Sequence, residues 1–240
     1  MHLQRMLAGA QQTIAQAGEL LLPQACAGCG APGQVLCSQC QQDLREVPRP
    51  TWRAELVDVP LFTLGDYSDL RRNVVLAMKE YNNRSVRNYV GAVFAAALEY
   101  LAARGDIPTA TVLVPAPTRA KAAALRGGDP VRDICLSAAK TLRGGVRPSL
   151  VIDVDVVSCV QISAGADDQS GLNARQRRAN LQKHIELSRR DLVLRLRAKG
   201  SHVVIIDDVV TTGSTLSATA NILRGAGITV SAALCFAESY

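Results

Sequence analysis

Two periods of apolar residues run along the chain and predict its helices and strands. In residues 69–81 and 85–103 apolar side chains recur every three or four positions, as on one face of an α-helix. Shorter runs rich in Val and Ile predict strands, because branched side chains fit a buried, pleated surface. Further helices are predicted at residues 2–21, 131–142 and 214–226. Strands are predicted at residues 61–65, 111–114, 150–157, 203–206 and 229–236.

Strands and helices alternate from residue 61 onward, and this order indicates the fold class. Such alternation is typical of a mainly parallel sheet flanked by helices on both faces. We therefore expect an α/β domain at residues 61–240. Before it, the pattern predicts an N-terminal helix at residues 1–22, a cysteine-rich module at residues 23–45 and a Pro-punctuated linker at residues 46–60.

The most specific chemistry lies at the predicted strand of residues 203–206 and the turn that follows it. Two carboxylates, Asp207 and Asp208, come directly after the strand, at the sheet edge where α/β proteins bind ligands. The turn then enters a helix, and its backbone N–H groups and hydroxyls could hold a 5′-phosphate. The predicted phosphate-binding residues are Thr211, Thr212, Gly213, Ser214 and Thr215.

The carboxylates at the rim of this turn could bind ribose hydroxyls or Mg²⁺, which prefers oxygen ligands in octahedral geometry. Helix capping alone would explain one acidic or hydroxyl residue, not two carboxylates together with four Thr or Ser residues. The stretch is not a Walker loop, because the Gly-Lys-Thr/Ser ending is missing. The pattern therefore favours a ligand site over an ordinary strand–turn–helix connection.

Four of the seven cysteines form two short pairs in the N-terminal module, namely Cys26 with Cys29 and Cys37 with Cys40. Two residues separate the members of each pair, and this spacing presents both thiolates to one ion. Four thiolates suit a closed, tetrahedral Zn²⁺ site that helps a small segment to fold. An iron–sulfur cluster is the alternative, since four cysteines also hold such clusters.

With these motifs the chain resembles the type I phosphoribosyltransferase superfamily, whose thirteen-residue motif for phosphoribosyl pyrophosphate (PRPP) is similar to residues 203–215. Within that superfamily it resembles the ComF family of competence-associated, GntX-like proteins, over nearly all of its 240 residues. The further segments that carry this resemblance are Leu-Leu-Leu-Pro at residues 20–23, the two cysteine pairs, Met-Lys-Glu-Tyr at 78–81, Val-Pro-Ala-Pro at 114–117, Gln-Ser-Gly-Leu at 169–172, and then Arg175, Arg178, Asn180 and Leu181.

The resemblance implies an enzyme that uses PRPP and Mg²⁺ to transfer a 5-phosphoribosyl group to a nucleophilic acceptor such as a nucleobase, releasing pyrophosphate. It implies that Asp207 and Asp208 act on the ribose or the metal. Residues 161–180 are polar and Arg-rich with no sustained period, which predicts a long loop, and such loops are usually functional lids or disordered. From this lid Arg175 and Arg178 would reach the pyrophosphate. The implied pyrophosphate loop contains Pro115, Ala116, Pro117 and Arg119.

The chain departs from the ComF pattern at one place. Members of that family usually carry Arg-Gly-Phe-Asn-Gln after the Pro-rich loop, where residues 126–130 here read Arg-Gly-Gly-Asp-Pro. The contacts of the missing Phe, Asn and Gln side chains are therefore not carried over to this chain.

Composition and charge change this picture little. A net charge of +6 and a pI near 9.1 suit anionic ligands, although a mildly basic surface would need no ligand. Aromatic residues are only 4% and are not interleaved with the basic residues of 175–199, which does not favour direct nucleic-acid binding. The chain has no apolar run of about 18 residues, and residues 1–22 lack the continuous apolar stretch of a secretory signal. We therefore expect a cytoplasmic protein with no membrane partner.

Two other classes of function fit the same motifs. A module that senses PRPP or a nucleotide would need the same binding residues and no turnover, because a fold alone does not decide catalysis. An interaction protein in DNA uptake is the second alternative, as the ComF resemblance implies.

Overall fold

The structure is a computed structural model, and it describes residues 24–56, 58–144, 153–163 and 184–239. The predicted helix at residues 1–22 lies outside the described residues. So do Arg175 and Arg178 and most of the predicted lid.

The described residues form seven helices and eight strands. The helices are α1 (Ser38–Asp43), α2 (Asp69–Lys79), α3 (Arg84–Ala103), α4 (Ala120–Leu125), α5 (Pro130–Arg143), α6 (Arg190–Ala198) and α7 (Ser214–Gly225). The strands are β1 (Arg49–Thr51), β2 (Leu61–Thr63), β3 (Ala110–Pro115), β4 (Asp153–Val156), β5 (Val160–Ile162), β6 (Ile185–Leu187), β7 (His202–Val210) and β8 (Thr229–Glu238). None of these helices is both long and apolar enough to cross a membrane.

Six strands form the central sheet in the order β1-β2-β8-β7-β3-β4. All neighbours in this sheet run parallel except β1 and β2, which are antiparallel. Strands β5 and β6 form a separate antiparallel pair. The mixed α/β fold with a mostly parallel sheet, expected from the alternation of elements, is confirmed.

Helices cover both faces of the central sheet, so its middle strands are buried on both sides. Val204 and Ile206 of β7 pack into one core together with buried residues of α2, α3 and α5. Val203 and Ile205 pack into a second core with residues of α6 and α7. This double burial explains why β7 reads as a continuous run of Val and Ile rather than as an alternating pattern.

The cysteine module packs against the first of these cores. Cys26, Leu36 and Cys40 are buried in the same cluster as the apolar residues of α2 and α3. Asn73 of α2 donates a hydrogen bond of 2.9 Å to the carbonyl oxygen of Gly28. The Tyr89 hydroxyl of α3 donates one of 2.7 Å to the carbonyl of Gln41 in α1. The module therefore rests on the helices of the main fold.

The boundaries of β7 differ from the prediction in a way that matters for the site. The strand extends to Val210 instead of ending at residue 206, because β8 continues beside it and pairs as far as Glu238. Asp207 and Asp208 therefore lie inside the strand and not after it.

Several elements were not predicted. They are α1, β1, α4, β5, β6 and α6, each of ten residues or fewer. The predicted linker at residues 46–60 contains β1, which pairs with β2 at the sheet edge. Residues 161 and 162, expected to open a long loop, belong to β5.

Candidate functional site

A small cavity lies where β7 ends and α7 begins. Its volume is about 130 Å³, and it is lined by Asp207, Val209 and Val210 and by residues 211–216. The turn between strand and helix and the first two residues of α7 together include all five residues predicted to bind phosphate. The structure thus brings one of the two predicted carboxylates together with the whole predicted phosphate-binding turn.

The conformation of this turn, the cradle formed by residues 211–215, depends on Gly213. Its φ of +83° lies in the left-handed region, which side chains rarely adopt. Gly213 is also the N-cap of α7 and has no side chain to cap the helix, although the N–H group of Ser214 donates a 3.4 Å hydrogen bond to the Oγ1 atom of Thr212. The first-turn N–H groups of an uncapped helix have no intrahelical acceptors, and they attract anions together with the helix dipole.

Hydroxyl groups complete the cradle. The Oγ1 atom of Thr212 lies 2.7 Å from the Oγ atom of Ser214. Ser214 is buried and donates its hydroxyl proton to a carboxylate oxygen of Glu55. Because a hydroxyl has only one proton, Thr212 must be the donor in the Thr212–Ser214 pair.

The two adjacent carboxylates of β7 point to opposite sides of the sheet. Successive strand residues alternate between faces, and Asp207 lines the cavity while Asp208 does not. Asp208 is buried, and its Oδ2 atom lies 2.5 Å from the Nζ atom of Lys79, an ion pair rather than a well-aligned hydrogen bond. Both aspartates were expected at the rim of the cradle, but only Asp207 faces it.

The environment of Asp207 makes its carboxylate costly to ionise in the absence of a cation. Burial raises the pKa of Asp207 well above its usual value, and the nearby charge of Asp208 raises it further. Lys79 opposes both effects. A Mg²⁺ ion would be attracted to such a position, since carboxylate oxygens are the ligands it prefers.

Lys79 was named only within the Met-Lys-Glu-Tyr segment of the resemblance, and no role was predicted for it. It ends α2, and two hydrogen bonds from buried Arg87 to the carbonyl of Met78, of 3.0 and 2.6 Å, hold that end of the helix. Burial disfavours the charged ammonium, but attraction to Asp208 and Asp207 outweighs it, so the pKa of Lys79 is raised. A single Lys at the end of an amphipathic helix carries no signal of this role, because only the fold brings it to β7.

The loop predicted to bind pyrophosphate lies beside the acidic strand. Pro115 of β3 is in register with Ile206 of β7, and the N–H group of Ala116 donates a 2.8 Å hydrogen bond to the carbonyl of Ile206. Pro117 is half-buried, and Arg119 is exposed at the start of α4. The two predicted anion-binding segments are therefore neighbours at the same edge of the sheet.

Asp129 forms a hydrogen bond with this loop, and it lies in the segment where the chain departs from the ComF pattern. Its Oδ1 atom accepts hydrogen bonds from the N–H groups of Val131 and Arg132 at the start of α5. The same atom accepts a 3.3 Å bond from the Thr118 hydroxyl. Burial raises the pKa of Asp129, although these hydrogen bonds oppose the shift. Asp129 thus caps α5 and is tied to the loop.

The four cysteines of the N-terminal module converge on one point. Their Sγ atoms all lie within 4.8 Å of one another, and those of Cys29 and Cys37 are 3.7 Å apart. Four sulfurs at about 2.3 Å from one Zn²⁺ in a tetrahedron would be roughly 3.8 Å apart. The cluster is therefore compatible with structural zinc.

Backbone N–H groups of the module favour a thiolate that could bind a metal. The N–H groups of Gly28 and Cys37 point at the Sγ atom of Cys26 at 3.4 and 3.3 Å. Burial opposes ionisation, but these bonds outweigh it and lower the pKa of Cys26 to about 6. A Cβ atom at position 28 would lie 2.9 Å from the Sγ atom of Cys40, so only glycine fits there.

Strand β5 contains the first residues of the predicted lid, and β6 begins at residue 185, beyond its predicted end. Ile162 and Ile185 are paired in register, and the N–H group of Ser163 donates a 2.8 Å hydrogen bond to the carbonyl of His184. Arg175 and Arg178 fall between these strands, outside the described residues.

Comparison with known proteins gives a match to the part of the chain that holds this site. A family model described as the phosphoribosyl transferase domain matches residues 157–239, which include β7, the acidic pair and the whole cradle. The match supports the type I phosphoribosyltransferase superfamily and suggests phosphoribosyl transfer in general. It does not reach the ComF family, which stays a prediction. Comparison with curated proteins gave no match.

Proposed function

We propose that the protein binds PRPP with Mg²⁺ at this sheet edge and transfers its 5-phosphoribosyl group to a nucleophilic acceptor. The observation that carries the proposal is the cavity shared by Asp207 and residues 211–216, next to the loop that follows β3. Its acidic wall suits ribose hydroxyls or a cation, and its cradle suits a phosphate. The family match over the same residues adds independent support.

In the proposed reaction the bond between C1 of the ribose and the pyrophosphate oxygen breaks, and its electron pair leaves with pyrophosphate. A lone pair of the acceptor forms the new bond to C1, and the acceptor loses a proton. Bound Mg²⁺ would neutralise charge on the leaving group. The cradle would anchor the 5′-phosphate, and Asp207 would orient the ribose, so that catalysis is mainly positioning. Arg175 and Arg178 remain predicted contacts to pyrophosphate.

The test of this proposal is ligand-induced thermal stabilisation of the full chain. PRPP with Mg²⁺ should raise the melting temperature, because a ligand that binds only the native state stabilises it, by about 2.7 kcal/mol at 100 times its Kd. Asp207→Asn should remove most of that shift without lowering the melting temperature of the free protein. Asp153→Asn, an exposed carboxylate on β4, is the matched control and should keep the full shift. An equal shift in wild type and Asp207→Asn would rule out this site.

Turnover separates an enzyme from a sensor. Pyrophosphate release from PRPP in the presence of a panel of nucleobases would establish transfer. Stabilisation by PRPP with no release for any acceptor would instead favour the binding-only module.

We further propose that Cys26, Cys29, Cys37 and Cys40 hold one structural Zn²⁺. The compactness of their sulfurs and the two backbone N–H groups that point at the Sγ atom of Cys26 support a thiolate site. The cysteine module contacts α2 and α3, which favours a role of the metal in stability, because the metal would fix the module on these helices.

A further inference from the structure

One segment of the predicted linker lies directly on the phosphate cradle. The Nε atom of Arg53 donates a 2.6 Å hydrogen bond to the carbonyl oxygen of Thr211. A Cβ atom at Gly213 would lie 3.2 Å from the Cβ atom of Arg53 and 3.5 Å from that of Leu56. Residues 53–56, hereafter the strap, therefore touch the turn at van der Waals distance.

The strap is fixed on both sides of Glu55. Arg53 forms an ion pair of 2.9 Å with the buried carboxylate of Glu238. On the other side Leu56 is buried in the second core, at 4% exposure. Between these two anchors the Glu55 side chain contacts the hydroxyl group of Ser214.

Glu55 places a carboxylate on a hydroxyl group that the proposed function assigns to the phosphate. One of its oxygens accepts the hydroxyl proton of Ser214, the first residue of α7. A carboxylate at a helix N-terminus is favoured by the same dipole that favours phosphate. The Glu55 carboxylate and a phosphate cannot both bind the Ser214 hydroxyl and the N-terminus of α7, because like charges at contact distance repel each other.

We propose that Glu55 is a built-in competitor that sets the affinity of the cradle for phosphate. This inference rests on the proposed function, which assigns the cradle to the 5′-phosphate of PRPP. Phosphate enters only when the Glu55 carboxylate swings out, so the measured affinity is the intrinsic one reduced by the fraction of molecules with an open cradle. Arg53 and Leu56 keep the strap in place, and only the acidic side chain has to move.

The chemistry of the competition predicts which ligands are affected. Ligands with a terminal monophosphate, such as ribose 5-phosphate and inorganic phosphate, meet Glu55 directly. Pyrophosphate with Mg²⁺ would bind at the loop after β3, so Glu55 should hardly affect it. The effect of Glu55 is thus specific to one end of PRPP.

The experiment is isothermal titration of the full chain with ribose 5-phosphate. Glu55→Gln keeps the size of the side chain and removes its charge, so we expect tighter binding by about three- to thirtyfold, as for one charge at a helix N-terminus. Glu55→Ala should bind at least as tightly. Asp58→Asn removes an exposed charge from the same connection and is the matched control, expected to change affinity less than about twofold. Pyrophosphate with Mg²⁺ should bind all four proteins alike.

The outcomes separate this inference from the function on which it rests. If wild type binds ribose 5-phosphate and Glu55→Gln binds it equally or more weakly, Glu55 is not a competitor and the inference fails while the phosphate site stands. If neither wild type nor either Glu55 variant binds it, the cradle is not a phosphate site and both proposals fail. Melting temperatures of the free variants show that each remains folded.

Discussion

At the scale of single residues, the acidic pair of β7 shows how one step along a strand separates two roles. Asp207 faces the cavity, whereas Asp208 faces α2 and the ammonium group of Lys79. Adjacent carboxylates look equivalent in the sequence, but strand alternation gives each a different neighbour. Substituting both at once would therefore mix loss of ligand binding with loss of a buried ion pair.

Lys79→Met should destabilise the protein, because it leaves the buried carboxylate of Asp208 without its cation. We expect a loss of about 1–3 kcal/mol in the free energy of unfolding, measured by urea denaturation. The pKa of Lys79 is raised in the folded protein. The stability difference between wild type and Lys79→Met should therefore be fully present below about pH 10, near the pKa of Lys79 in the unfolded protein. It should disappear as the pH rises through the higher pKa of Lys79 in the folded protein.

A double-mutant cycle isolates the pair. Adding Asp208→Asn to Lys79→Met should cost less than the two single changes summed, since the unpaired charge is gone. Lys121→Met, an exposed lysine on α4, should change stability by less than about 0.5 kcal/mol. Additive single effects would show that Lys79 and Asp208 are not coupled.

At the scale of elements, the sequence predicted what depends on long apolar periods. The four longest helices, α2, α3, α5 and α7, and the buried residues 203–206 of β7 were all predicted from the pattern of apolar residues. The missed elements are short, and the missed strands form by pairing with another strand. Strand β1 is three residues long and exists because β2 offers hydrogen bonds at the sheet edge.

The residues of the candidate site also divide into those that a local pattern predicts and those that only the fold brings together. The cradle and the cysteine cluster are local in sequence, so their residue types and spacing were enough to predict that they come together. Lys79 and Glu55 enter the site from elements more than a hundred residues before β7. No local pattern carries such a contact, because packing of the whole sheet decides it.

The cysteine module gives a prediction at the same scale. Cys29 is exposed, so Cys29→Ser should cost little through packing, and any large effect reports on the metal. We expect purified wild type to contain about one zinc per chain and the variant clearly less, with a lower melting temperature. Elemental analysis and thermal melts measure both quantities.

Gln34→Ala, an exposed change in the same module, is the control and should leave zinc content and melting temperature unchanged. Iron with visible absorption in place of zinc would support the iron–sulfur alternative. Metal-free wild type with an unchanged melting temperature after chelator treatment would contradict a structural metal.

At the scale of the whole molecule, one buried carboxylate joins the last strand to residues 49–63. Glu238 at the end of β8 accepts hydrogen bonds from Arg49 at 2.8 Å, Arg53 at 2.9 Å and Thr51 at 2.7 Å. It also accepts one of 3.1 Å from Thr63 of β2. The strap is therefore anchored by the same group that fastens β1 to the sheet edge.

Glu238→Gln should loosen this junction and make stability less dependent on pH. The hydrogen bonds outweigh burial and lower the pKa of Glu238 in the folded protein. A lowered pKa contributes stability that is fully present above about pH 4.3, near the pKa of a glutamate in the unfolded protein. This stability is lost as the pH falls through the lower pKa of Glu238 in the folded protein. We expect the variant to lose about 1–3 kcal/mol at pH 7 and to approach wild type in acid, measured by urea denaturation at several pH values. Glu186→Gln, at an exposed glutamate on β6, is the control and should show neither effect. If the loss of stability in Glu238→Gln stays constant down to about pH 2, ionised Glu238 is not its source.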